Sequence, residues 1–337
     1  MSPDTAAIKQ FITSFEERAA PREKAVAEAW WRLSTEGTEE AQNELVRAGM
    51  EYNRLFSDRS EFEKVQAWHA ERAELDEPLL ARQLEVLYQT FAAGQGDQEM
   101  LNRIEELEAE ANAVYGNHRG EVGGREVGEN EVRGILRSST DEDLRREAWE
   151  ASKTVGEKVE PAVRELARLR NRLAAEAGYD NHYVRSLALQ EIDPAELEEI
   201  MAELEAATDA PFRELKSDID ASLKQRFGVE EIMPWHLSDP FFQEPPEGVD
   251  GYDLDVDGYF ADGDLEALTR KTYDSLGLDV RGVFANSDLY EREGKSQHAF
   301  CLSVGRDFPY DVRVLANLRP GSPDAYWADT MLHEFGH

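Results

Sequence analysis

One cysteine, Cys301, occurs in 337 residues, so the chain can form neither an intrachain disulfide nor a cysteine-based metal cluster. Lysine is almost as sparse: nine of the 37 basic residues are lysine and 28 are arginine, against 71 carboxylates. The formal charge of −34 is spread along the whole length and is not confined to one tail. A field of that sign repels nucleic acid and anionic lipid, which are bound through basic patches, and it excludes both as partners. No stretch approaches the roughly 20 apolar residues of a membrane span. The opening MSPDTAAIKQFITSFEER also lacks the apolar core of a secretion signal. These absences imply a soluble, cytoplasmic protein. There is no fixed-period repeat and no low-complexity tract.

With 41% hydrophobic residues the chain has ample material for a core, so the acidity belongs to the surface of a folded protein. Two readings of that surface stand side by side. One is adaptation to concentrated salt, and the other is an ordinary acidic cytosolic protein.

The hydrophobic period is helical over the first 115 residues. Ile8, Phe11, Ile12 and Phe15 recur at helical spacing, and the pattern runs to Gly37. Thr38 can cap a helix carrying Leu45, Met50 and Leu55. Pro78 suits a first turn, followed by Leu80, Leu84, Leu87, Tyr88 and Phe91, and Asp97 opens a further helix through Tyr115. The Gly-Gly pair in GEVGGREV then predicts a small hairpin near residues 119–128. Helix resumes after Thr140, with a capping box to Asp143, and is expected to run to Gly178. Asp193 and Pro194 start another helix, which Pro211 should kink or restart before Gly228. Residues 229–263 read as loop, and 264–276 as helix. HAFCLSV and YDVRVLANL flank GRDFP as a pair of strands over 298–318. Ser322 as cap and Pro323 in the first turn then predict a last helix over 322–337.

That helix carries the sequence MLHEFGH. His333 and His337 stand four residues apart, one helical turn, so both imidazoles leave the same face. Two such nitrogens can fill two corners of a zinc tetrahedron; a third protein ligand leaves the fourth for water, whose pKa falls towards about 7. Glu334 lies beside the first ligand, placed to take the water's proton as general base. The competing reading is a non-catalytic helical interaction protein in which the two histidines are incidental surface residues.

Three stretches carry a resemblance: LHEFGH, the upstream SQHAFCLSVGRDFPYDVRVLANL, and AWEASKTVGEKVEPAVRELARLRNRLAAEAGYDNHYVRSL. With them the chain resembles the N-terminal portion of the M2 peptidases, the angiotensin-converting-enzyme-like dipeptidyl carboxypeptidases. The M3 oligopeptidases are similar more distantly. The resemblance implies a mainly α gluzincin peptidase fold with a small β-sheet beside the zinc-motif helix, and peptides as substrates. It implies a single, incomplete domain over 1–337, with a mostly helical body over 1–297. His298 would contact substrate near the scissile carbonyl, and Ala299 would offer its backbone for strand-like pairing. His298 reads equally as a strand residue facing solvent. Some members carry a cysteine pair around the hairpin, which is missing here. The family's third zinc ligand, and its carboxylate-binding and transition-state residues, would fall beyond residue 337. The expectation is therefore a truncated zinc peptidase, itself inactive.

Overall fold

Thirteen α-helices and five short strands make up the described part of the chain, which in this computed structural model comprises residues 4–242, 256–307 and 310–337. Residues 243–255 of the expected loop, and Phe308 and Pro309 of the expected strand connection, lie outside the described residues.

By contacts the chain divides into two units, one comprising Met1–Ala113, Ala162–Leu197 and Leu302–Arg313, the other Val114–Pro161, Glu198–Cys301 and Val314–His337. In the first unit, α1 (Thr5–Glu36) ends where Gly37 turns left-handed at φ 63°, a conformation that costs glycine nothing. Thr38 caps α2 (Glu39–Phe56) by accepting from the Ala41 N–H, as its position predicts. α3 (Arg59–Ala70) and α4 (Pro78–Ala93) complete the core built from the spacing of Ile8, Phe15, Phe56, Val65, Leu84 and Phe91. α5 (Gln98–Asn117) and α8 (Val155–Glu176) share a second core around Leu107, Leu166 and Leu173.

In the second unit, β1 (Gly120–Val122) and β2 (Arg125–Val127) form the expected antiparallel hairpin around Gly123 and Gly124, both at positive φ. α6 (Glu129–Ser138) follows. The single helix expected from Thr140 to Gly178 is two: α7 (Glu142–Lys153) and α8. The break falls at Thr154, whose N–H reaches back three residues to the Ala151 carbonyl while its hydroxyl bonds the same oxygen. This tight turn stops α-propagation. The cap of α7 is Asp141 and not Thr140; its carboxylate accepts from the N–H groups of Asp143 and Leu144.

α9 (His182–Leu189) precedes α10 (Pro194–Phe227), which passes through Pro211 without restarting. An interior proline costs about 3 kcal/mol through its missing N–H and the clash of its ring with the preceding turn, and α10 bears that cost while its far end is anchored by Ile219 and Leu223. α11 (Leu265–Ser275) lies as expected. α12 (Arg281–Asn286) and β3 (Asp288–Tyr290) are too short for a periodic signal, and the sequence reading missed both. β3 runs parallel to β5 (Val312–Leu318), which stands between β3 and β4 (Phe300–Ser303). The buried face of β5 packs with α13 (Ala325–Gly336) in one core of Val314, Ala316, Leu318, Trp327, Ala328, Met331 and Phe335.

Candidate active site

α13 begins two residues later than expected. Ser322 and Pro323 belong to the preceding turn, and Asp324 is the cap, its carboxylate accepting from the Trp327 N–H at 2.8 Å. An aspartate outcompetes the serine because its charge also meets the positive end of the helix dipole. The Ala325 N–H donates to Asp257 Oδ1 at 2.9 Å, which satisfies another of the orphan donors of the first turn. Trp327 Nε1 donates to buried Asn130 on α6, which itself donates to the Asn317 carbonyl on β5 and to Glu291. The start of α13 is thus fixed to α6 and to the sheet by one amide side chain.

The helix turns Trp327, Ala328, Met331 and Phe335 into the core and leaves His333 and His337 exposed. The two imidazoles converge: their Nε2 atoms lie 3.1 Å apart and the ring planes cross at 80°. Two nitrogens each about 2.0–2.1 Å from a tetrahedral metal would be about 3.3 Å apart, so the pair fits two corners of a zinc site. Among the described residues no group of three His, Cys, Asp or Glu side chains is arranged to hold a metal.

Glu334 is half-buried beside the first imidazole. Burial, and after it the Glu334 charge, push the Cys301 thiol up, which puts that carboxylate within electrostatic reach of β4. His298 and Ala299 come just before the first paired residue of β4. Ala299 packs against the core that holds α13. His298 is not a free solvent-facing residue: its ring stacks on Tyr115 at 4.7 Å and 15°, and its Nδ1 lies 3.5 Å from Glu129 Oε2. With Nδ1 turned to the carboxylate, Nε2 is the atom left for a ligand.

Sequence reasoning missed these supporting residues, Tyr115, Glu129 and Asn130 among them. It also missed Lys295, whose fully buried Nζ donates to the carbonyls of Asp288, Tyr290 and Ala316 and to the Asp288 carboxylate. Burial pushes this ammonium down to about 8. A lysine between Gly294 and Ser296 carries no local mark of that role; only the approach of β3 to β5 creates it.

The fold is mainly helical, with the His-Glu-x-x-His helix packed on a small three-stranded sheet. The family model for peptidase M2, angiotensin-converting enzyme, matches residues 2–236. The chain belongs to that family, a family of metallopeptidases. The match ends well before His333, so it and the histidine motif are independent signals. No curated protein matches the chain. No helix among the described residues is long and apolar enough to cross a membrane.

Proposed function

We propose that residues 1–337 form part of one zinc-peptidase domain acting on short peptides in the manner of a dipeptidyl carboxypeptidase. The observation that carries the reading is the 3.1 Å convergence of the His333 and His337 Nε2 atoms in a chain whose matched segment lies elsewhere. His333 and His337 would hold Zn²⁺. When bound, the metal supplies Lewis acidity that activates water and polarises the scissile carbonyl. Glu334 takes the attacking water's proton on its carboxylate and delivers it to the leaving amide nitrogen. His298, oriented through Nδ1 by Glu129, presents Nε2 to the substrate backbone, and the backbone at Ala299, next to β4, pairs with the peptide as an added strand.

Two imidazoles make half of a tetrahedral set, so a third protein ligand has to come from outside the described residues. Zinc held by the His333 and His337 pair by itself should have a dissociation constant weaker than about 1 μM. Titration calorimetry of this chain and of His333→Ala tests the reading. The expected result is weak, saturable, one-to-one binding that the variant loses. Equal heats from both proteins would leave the histidines incidental and favour the interaction-protein reading. Tight binding with peptide turnover would overturn the two-ligand account.

The charge of −34 supports a surface adapted to concentrated salt in the cytoplasm. Self-repulsion at that charge is screened over about 8 Å at physiological ionic strength and about 3 Å at 1 M. The melting temperature should rise from low salt through molar KCl. A midpoint that levels off by 0.2 M or so would match simple screening of an ordinary acidic protein.

A further inference from the structure

Each histidine of the pair follows a residue touched by the same phenol. Tyr273, on α11 and 8% exposed, donates its hydroxyl to the Leu332 carbonyl at 2.5 Å, immediately before His333. The same Oη lies 3.0 Å from where a Cβ on residue 336 would stand, immediately before His337. Position 336 is glycine, and a methyl group there would crowd the phenol oxygen.

Around this contact the last turn of α13 is closely held. Phe335 packs on Phe284 of α12 at 4.3 Å between centroids, and the Arg270 guanidinium lies 3.7 Å from the centroid of Phe284. In an α-helix the Leu332 carbonyl also accepts from the N–H of residue 336, so the phenol acts on the bond that sets the pitch between the two imidazoles.

We infer that Tyr273 is a positioning residue for the metal: through the Leu332 carbonyl and the gap at Gly336 it holds the His333 and His337 Nε2 atoms at chelating distance. This rests on the zinc reading of the pair. Tyr273 touches neither metal nor substrate. Hydrogen bonds made directly to ligating side chains are worth about 10- to 100-fold in metal affinity. Acting through the backbone and not on an imidazole, Tyr273 should lie near the lower figure.

The test is zinc calorimetry and thermal melting on the whole 337-residue chain and its variants. Tyr273→Phe keeps the buried ring and removes only the donor, and is expected to weaken zinc binding about tenfold with little change in the melting temperature. Gly336→Ala should weaken it by itself, through the clash with the phenol oxygen. In the double variant Tyr273→Phe/Gly336→Ala that oxygen is gone, so the alanine should cost little beyond the first substitution. Such non-additivity is what a shared contact produces and independent sites do not. If Tyr273→Phe binds zinc as tightly as the parent chain, the positioning role is overturned while the zinc reading stands. A loss of melting temperature with unchanged affinity likewise overturns that role and leaves Tyr273 a packing residue. If the parent chain itself shows no zinc binding sensitive to His333→Ala, the zinc reading fails and this inference fails with it.

Discussion

Glu334→Gln should lower kcat for peptide hydrolysis by two to four orders of magnitude, in a form of the protein with a complete metal set, while zinc content is unchanged. The size follows from what the substitution removes. A positioned general base contributes about 10²–10⁴ to rate, and glutamine keeps the shape of the side chain without its basic oxygen. On the proposed reading the metal nitrogens belong to His333 and His337, on either side of this residue in the motif, so the ligand pair survives. KM should change little, because the lost interaction is one with the moving proton and not with bound peptide. Turnover within a few-fold of the parent, at equal zinc content, would remove Glu334 from the role of base. A variant that loses zinc as well would make it a structural carboxylate.

Arg145→Met should destabilise the second unit by about 3–5 kcal/mol. Arg145 on α7 is 1% exposed, and its guanidinium donates to four carbonyls. These belong to Trp235 at 2.8 Å, Leu136 at 2.5 Å, Ser139 at 2.8 Å and Leu237 at 2.9 Å. The Phe227 ring covers the guanidinium at 4.7 Å. A single side chain thus joins the end of α6 and the segment after α10 to α7. Methionine would fill most of the volume but leave buried acceptors unpaired, and each such group costs about 1–3 kcal/mol. Arg145→Lys should also lose stability, since a compact ammonium cannot reproduce the flat fork that reaches four oxygens. Urea unfolding of the three proteins measures both effects. A loss below about 1 kcal/mol in Arg145→Met would mean that the carbonyls find other partners.

Arg145 shows why some of this protein was legible in sequence and some was not. Nothing marks it off from its neighbour Arg146, which makes an ordinary surface pair with Glu150 one turn away. Both meet the loop around Trp235, Arg146 over the indole ring and Arg145 at the Trp235 and Leu237 carbonyls, but only Arg145 is buried there, and that loop arrives from far along the chain.

What the sequence determined by itself is what depends on near neighbours. The 3.6-residue period placed the cores of α1 and α4, and Gly37, Thr38 and Pro78 marked helix ends through their own backbone preferences. The Gly-Gly turn fixed the hairpin, and the four-residue spacing of His333 and His337 put both imidazoles on one helix face. Helix ends with several candidate caps in a row were less certain. Asp141 and Asp324 prevailed over Thr140 and Ser322 because a carboxylate meets both the free N–H groups and the helix dipole. Everything that orients the site came from tertiary structure alone: Asn130 behind Trp327, Glu129 and Tyr115 around His298, Tyr273 behind the histidine pair, Lys295 between the strands. The physical reason is that a hydrogen bond or a stacked ring needs only the right atoms at about 3–5 Å, and residues distant in the chain reach that separation only when the core has packed.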